Sequence, residues 1–326
     1  MKVEFYSVRP YEQQRLEALL PEDWVVHFNE AHLGPDTVAQ CPAADAVSLF
    51  VSDWADAQVL EKLVEKGVRM LMLRSAGFDH VDLAVARRLG MRVGRVPAYS
   101  PHAVADHTLA LLLTLVRRIH LAQDKVRRAD FCLQGLMGFD LNGKRAAVIG
   151  LGRIGRLVAQ RLQAFGCEVV GHDPYAQVVG VPDVSLEEAL EVSDIVSLNC
   201  PLTPETRHLL NAERLQKMKP GAVVVNTGRG ALIDTAALLD ALRSDHLGGA
   251  ALDVYEFERG LFFEDHRDEG IRDPMLAQLM ALPNVVITGH QAFLTQEAVE
   301  NIARTTVATL QAWAQDPAVA GENFLC

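Results

Sequence analysis

Between a short apolar run and a longer run of helical period lie three glycines whose spacing few folds accept. Arg145 to Ile149 reads as a strand, Gly150-Leu151-Gly152-Arg153-Ile154-Gly155 follows at once, and a helical pattern continues through Phe165. A second strand-like run, Glu168 to Gly171, comes next, and Asp173 ends it near the roughly 20-residue distance at which dinucleotide-binding βαβ units carry an acidic residue. Each glycine has its own reason. Gly150 permits the tight turn, Gly152 lets the amides of Arg153 and Ile154 approach a pyrophosphate, and Gly155 lets the helix pack closely on the strand. The helix N-terminus then faces the phosphate charge. Asp173 would bond a ribose diol and repel a 2′-phosphate, and Pro174-Tyr175-Ala176-Gln177 supplies no arginine to reverse that preference. NAD is therefore expected rather than NADP.

The same alternation extends over the whole chain. Strand-like runs at Lys2 to Ser7, Ala46 to Val51 and Met70 to Leu73 are separated by helical segments at Pro10 to Leu20 and Ala55 to Lys66. After Gly143 the rhythm returns, with further strands at Ile195 to Asn199, Ala222 to Asn226, Gly249 to Leu252 and Asn284 to Thr288. This is α/β architecture with mostly parallel sheets covered by helices, in two Rossmann-like, doubly wound domains. Ser100 to Arg128 reads as one long helix joining them, opened by Ser100-Pro101. A last helix near Thr295 to Ala314 would return to the first domain and make it discontinuous. The expected division is 1–98 plus 290–326 for a substrate-binding, catalytic domain and 99–289 for an NAD-binding domain.

Charge and cysteine usage narrow the function. The 326-residue chain carries 31 Lys and Arg against 42 Asp and Glu, a formal net charge of −11, which speaks against broad binding to nucleic acid. Cys41, Cys132, Cys167, Cys200 and Cys326 are scattered, with no Cys-x-x-Cys pair, as in a reduced cytoplasmic protein. Residues 1–10 lack the apolar core of a signal peptide. The most apolar stretch, Ala103 to Val116, is interrupted by Asp106 and His107 and falls short of the ~20 residues that span a bilayer, so no membrane role is expected. It reads as a buried helix, either at an interface between subunits or inside a monomer. His102 and His107 lie five apart, which is not a metal-ligand spacing on a helix, and no metal is expected.

Ligands of open α/β sheets bind beyond the carboxyl ends of the strands. Cys200, Pro201, Thr206, Thr227, Gly228, Arg229 and Asp253 stand there as further cofactor contacts. Cys200 is better read as a wall residue than as a nucleophile, since no base lies near it in sequence. Arg229 follows the strand Val223 to Val225, and its planar guanidinium suits a carboxylate. His290 follows Val285 to Ile287, and Glu258 lies past the strand that ends at Leu252. A carboxylate bonded to His290 would favour the imidazolium and fix which ring nitrogen faces a substrate. A cation to hold a carboxylate, and an acid to protonate a developing alkoxide, are what hydride transfer to a 2-ketoacid needs. Taken singly, Arg229 could be a turn cation, Glu258 a solvated acid and His290 a buried structural histidine. The acid-rich segment Glu256 to Asp273 reads as a solvated surface loop, with a lid as the alternative.

Together, Gly150 to Gly155, Asn226-Thr-Gly-Arg-Gly230, Asp253-Val-Tyr-Glu-x-Glu258 and Gly289-His-Gln-Ala-Phe293 resemble the D-isomer-specific 2-hydroxyacid dehydrogenases. Within that family the pattern is most similar to the fermentative D-lactate dehydrogenases of bacteria. Leu73-Arg-Ser-Ala-Gly-Phe-Asp79, Arg95-Val-Pro-Ala-Tyr-Ser100, Cys200-Pro-Leu-Thr-Pro204 and Leu261-Phe-Phe-Glu-Asp265 add to the resemblance. It implies Arg229 as substrate anchor, Glu258 as partner of the histidine, and His290 as proton donor in reduction of pyruvate to D-lactate. It also implies that backbone amides around Ser75, Ala76 and Gly77 meet the substrate carboxylate, with Tyr99 and Phe293 nearby, and that the protein is a homodimer or homotetramer. Many relatives have serine where this chain has Gly228. Arg74 is the only cation beside the Gly77 segment in sequence, which speaks against a phosphorylated substrate. The alternatives are a reductase of another small 2-ketoacid, and an NAD-sensing, corepressor-like binding protein.

Overall fold

The computed structural model describes all 326 residues, which form two compact units, one of residues 1–100 with 293–326 and one of residues 101–292. In the first, the strands β1 (Lys2–Phe5), β2 (Val25–Phe28), β3 (Ala46–Leu49), β4 (Met70–Leu73) and β5 (Arg92–Arg95) form one parallel sheet in the order β2-β1-β3-β4-β5. Strands β3 and β4 are buried at every residue, as parallel strands covered on both faces must be. Their alternation divides the core. Val47, Leu49, Leu71, Leu73 and Val93 pack with Val59, Leu60 and Leu63 of helix α2 (Ala57–Glu65) and Val85 of α3 (Leu83–Arg88). Asp56 and Asp82 cap those two helices by accepting the N–H of Val59 and Val85.

The opposite face receives α1 (Pro10–Glu17) and the long last helix α11 (Gln296–Gln315), capped by Thr295. Helix α11 buries Val299, Ile302, Ala303, Thr306, Val307, Leu310 and Trp313, the stripe its 3.6-residue period puts on one side. It approaches β5 so closely that a Cβ on Gly94 would stand 2.9 Å from the Thr309 methyl. The C-terminal residues then run along β5, where the N–H of Leu325 donates to the carbonyl of Val93. That covers an edge that would otherwise offer unpaired backbone.

In the second unit, β6 (Arg145–Ile149), β7 (Glu168–His172), β8 (Ile195–Leu198), β9 (Val223–Asn226), β10 (Gly249–Leu252) and β11 (Val285–Ile287) form a parallel sheet in the order β11-β10-β9-β8-β6-β7. Ala146 and Val148 of β6 point to a core shared with α4 (Pro101–Val116) and α6 (Arg153–Ala164). Ala147 and Ile149 point the other way, to a core shared with α7 (Leu186–Val192), α8 (Ala212–Lys217), α9 (Thr235–Arg243) and α10 (Pro274–Ala281). Both units are thus doubly wound, with chain direction across the sheet reversing at β1/β3 and at β6/β8.

Three differences from the sequence reading have physical causes. The single helix expected over Ser100 to Arg128 is two, α4 and α5 (Ile119–Arg127), because Arg118 takes a left-handed φ of 53°. The Val116 carbonyl accepts the N–H of Phe139, and Gly138 packs so tightly there that a Cβ would lie 2.0 Å from that oxygen. Leu109, Leu112, Leu115 and Val116 of α4 are buried against its own sheet, inside the second unit. Strands β2 and β5 are not among the expected strands; β2 is a half-exposed edge, and β5 begins and ends with arginine. The boundaries of the units also fall slightly later than 98 and 290. His290 stays with the second unit because its N–H donates to the Asp253 carbonyl, and the N–H groups of Gln291 and Ala292 to the Asp253 carboxylate.

Candidate active site

The glycine turn lies at the carboxyl end of β6, where the sheet reverses. Gly150 takes a φ of 91°, and a Cβ on it would stand 2.6 Å from the Cys200 backbone nitrogen, so the loops after β6 and β8 touch through it. A Cβ on Gly155 would fall 1.8 Å from the Gly150 carbonyl oxygen, which explains how α6 seats so close to the strand. Gly152 is different. A Cβ there would meet no atom within 4 Å, and as the residue that opens α6 it brings no capping side chain. Helices α7, α8, α9 and α10 are capped by Ser185, Asn211, Asp234 and Asp273, so α6 keeps a helix start suited to an external anion.

Asp173 follows β7. Its carboxylate accepts the N–H of Leu151 at 2.7 Å, tying it to the glycine turn, and those of Tyr175 and Ala176 at 2.8 and 3.1 Å. Beside it opens a cleft of about 800 Å³ lined by Tyr175, Ala176 and three carboxylates, Asp173, Asp183 and Glu188, with no lysine or arginine. That lining disfavours an added phosphate. In the loop after β8, the Thr206 hydroxyl donates to the Pro201 carbonyl and accepts the N–H of Thr203, which shapes the turn. Burial pushes the Cys200 thiol up to about 11, so it stays protonated at neutral pH and is no nucleophile.

The sheet order β11-β10-β9 sets three strand ends side by side, and each carries one candidate residue. After β9, the Asn226 amide donates to the Arg229 carbonyl and its oxygen accepts the Gly228 N–H, closing the turn that presents Arg229. Gly230 presses on the next strand end, where a Cβ would lie 2.0 Å from the Tyr255 carbonyl carbon. After β10, one oxygen of Glu258 accepts the Tyr255 N–H at 3.0 Å, and the other lies 2.7 Å from Nδ1 of His290, which follows β11. An ionised carboxylate only accepts, so Nδ1 carries a hydrogen and Nε2 is the nitrogen left to exchange a proton. His290 has a φ of 54°, a left-handed backbone that costs roughly 1–3 kcal/mol and persists only where neighbours enforce it. The Phe263 ring lies 5.6 Å from its imidazole.

Asp253 stands apart from the other strand-end candidates. Its carboxylate is fully buried and accepts the Thr288 hydroxyl at 2.5 Å and the N–H groups of Gln291 and Ala292 at 2.9 and 2.8 Å. Burial alone would raise its pKa, but the hydrogen bonds from His107 and Thr288 and the charge of His290 hold it below the usual carboxylate range. Sequence reading also missed Glu256. It is buried rather than solvated, and accepts from Nε2 of His208 at 2.6 Å and from the Thr235 hydroxyl at 3.0 Å.

In the first unit, the Ser75 hydroxyl donates to the Gly77 carbonyl at 2.7 Å and curls the segment after β4. Arg74 does not flank that segment as an available cation. It is fully buried against Glu12. The cation at the turn is Arg95, which donates to the Ala76 carbonyl at 3.0 Å and lies over the Phe78 ring. The Tyr99 and Phe293 rings meet edge-on at 6.4 Å, with Phe50 against Phe293 at 5.7 Å.

Comparison with known proteins decides the family. Residues 109–292 match the model of the D-isomer specific 2-hydroxyacid dehydrogenase NAD-binding domain. The D-lactate dehydrogenase of Escherichia coli is 44% identical over 315 residues, which are 95% of this chain and 96% of that one. The chain belongs to the D-isomer-specific 2-hydroxyacid dehydrogenase family. A structure described as that of the pyruvate reductase of Chlamydomonas reinhardtii is 41% identical, with a TM-score of 0.88 covering 97% of each chain. A D-lactate dehydrogenase of Aquifex aeolicus, solved with NAD and lactic acid, is 34% identical, with a TM-score of 0.87 covering 99% of this chain and 98% of that one. The second unit of this family member is an NAD-binding domain, and the family makes the protein an NAD-dependent oxidoreductase. None of its helices is long and apolar enough to cross a membrane.

Proposed function

We propose that the protein is an NAD-dependent D-lactate dehydrogenase that reduces pyruvate. The observation that carries this reading is the His290–Glu258 pair, set one strand away from Arg229. The open start of α6, with the amides of Arg153 and Ile154, would hold the pyrophosphate, and Asp173 the adenosine ribose. Cys200, Pro201, Thr227 and Gly228 would wall the cofactor along the strand ends. NADH, when bound, supplies the hydride.

The other steps belong to the chain. Arg229 holds the carboxylate of pyruvate through its planar fork and polarises the keto oxygen. Resemblance to the family adds Ser75, Ala76 and Gly77, with Tyr99 and Phe293, as further substrate-contacting residues. As the hydride reaches C2, Nε2–H of His290 gives its proton to the oxygen and the imidazole returns to neutral, with Glu258 stabilising the charged form beforehand. The D outcome and the preference for pyruvate rest on similarity to D-lactate dehydrogenases.

A homodimer or homotetramer fits the exposed apolar residues of the segment after α5, where Phe131, Leu133 and Met137 are 73%, 81% and 90% exposed. Light scattering gives the assembly mass against a chain of 35.7 kDa. Steady-state oxidation of NADH with a panel of 2-ketoacids tests the function. Fast turnover of pyruvate, with D-lactate and not L-lactate active in reverse, is the expected result. Faster turnover of a larger ketoacid would move the substrate, and NADH binding without turnover would leave a sensing protein.

A further inference from the structure

His107, on α4, reaches the strand ends from beneath the sheet. Its Nε2 lies 3.1 Å from the Thr288 hydroxyl oxygen and 3.3 Å from Oδ1 of Asp253. The Thr288 hydroxyl already gives its hydrogen to Asp253, so its oxygen can only accept from His107, which must carry a hydrogen on Nε2. Asp253 then has four donors around its carboxylate, namely Nε2 of His107, the Thr288 hydroxyl, and the N–H groups of Gln291 and Ala292. Its carbonyl accepts the N–H of His290 at 2.7 Å. One residue therefore grips the chain at 290, 291 and 292, and the left-handed backbone of His290 sits inside that grip.

We propose that His107 is a positioning residue for the reaction, acting through Thr288 and Asp253 to hold His290 in the conformation that meets Glu258 and presents Nε2. The inference rests on the proposed role of His290 as proton donor. A charged His107 is not required, since either protonation state with hydrogen on Nε2 supplies the donor. Without that donor, the carboxylate loses one of its four partners and Thr288 is free to turn, so the 290–292 peptide loosens while the glycine turn at β6 is untouched.

His107→Phe keeps a planar ring and removes the donor; His107→Gln puts an amide N–H close to the place of Nε2; Thr288→Val removes the hydroxyl with little change of shape. The expected result is a kcat for pyruvate lower by about 10- to 100-fold in His107→Phe and Thr288→Val, as for a reacting group misplaced by a fraction of an ångström to one ångström. KM and the affinity for NADH, read by fluorescence, should change less than about twofold, because a group needed only in the transition state is being displaced. His107→Gln should recover most of kcat. Amide hydrogen exchange at 290–292 should quicken in the first two variants and not in the third. Should His107→Phe fail to fold, Thr288→Val and His107→Gln carry the same test. Wild-type kcat and exchange in Thr288→Val, or a Gln variant as impaired as the Phe variant, would overturn the proposal. Should the wild-type protein turn over no 2-ketoacid, the assigned function fails, while the exchange rates still report whether His107 holds the peptide.

Discussion

Nδ1 of His290 and Oε1 of Glu258 stand 2.7 Å apart, joining residues 32 positions apart in sequence that follow neighbouring parallel strands. The carboxylate is itself fixed by the Tyr255 N–H, and the imidazole is 13% exposed, so the pair is held and partly shielded before any substrate arrives. Pre-set geometry of this kind is what general acid catalysis draws on.

Removing the acid and removing its partner should therefore differ in size. His290→Ala is expected to lower kcat by roughly 10²–10⁴-fold, the range for a lost general acid, with NADH binding kept. Glu258→Gln keeps a hydrogen-bond acceptor but not the charge that favours the imidazolium, so its loss should be smaller. Equal losses in steady-state kinetics would mean that Glu258 does more than support the ring.

How much of this was legible beforehand depends on how local each cause is. The turn at Gly150 to Gly155 and strand β6 were read correctly because their determinants lie within a few residues of one another. Arg229, Glu258 and His290 stood out as polar residues just past apolar runs, although their adjacency comes from the strand order. The break at Arg118 was hidden because Phe139 and Gly138, some 20 residues on, impose it. The burial of Asp253 and Glu256 was equally hidden, since their donors come from α4, the β8 loop and the residues after β11. Nothing in the order of the sequence sets His107 beside Thr288.

Asp173 couples cofactor choice to the shape of the turn. Its loss in Asp173→Ala should narrow the preference for NADH over NADPH by about tenfold or more, since a hydrogen bond to a charged group is worth ~1.5–3 kcal/mol. The preference should not reverse, because Asp183 and Glu188 still line the cleft. The ratio of kcat/KM for the two cofactors measures this, and an unchanged ratio would assign the discrimination elsewhere. The same substitution strips an acceptor from the Leu151, Tyr175 and Ala176 amides, so Tm should fall as well.

Asp253 makes stability depend on acid pH with a definite sign. Its pKa is lowered in the fold, so its stabilising contribution is complete above the ordinary value of about 3.9 and is lost as pH falls through the lower folded value. In Asp253→Asn the side-chain amide would bring N–H groups against donors, costing ~1–3 kcal/mol for each one left unsatisfied. Urea unfolding at neutral pH and at several values below 5 should show the variant less stable at pH 7 and flatter in its acid dependence. A parallel acid limb in both proteins would place the titration on other carboxylates, such as Asp194 with its Lys219 partner.

The ion pair beneath the first sheet should dominate that unit's sensitivity to mutation. Arg74 and Glu12 have side chains 0% and 5% exposed, with two contacts at 3.1 and 3.3 Å, and the guanidinium also donates to the Ser48 hydroxyl and the Tyr6 carbonyl. A buried guanidinium cannot shed its charge, so Glu12→Gln removes its paired carboxylate, at a cost of about 3–5 kcal/mol. Removing both charges lifts that penalty. The Glu12→Leu, Arg74→Met pair should therefore cost less than the sum of its single substitutions, even though Tyr6 and Ser48 lose a donor. A double-mutant cycle by urea unfolding reads the coupling directly. Additive losses would show that the two side chains are stabilised independently, and that the pair does not hold β4 against α1.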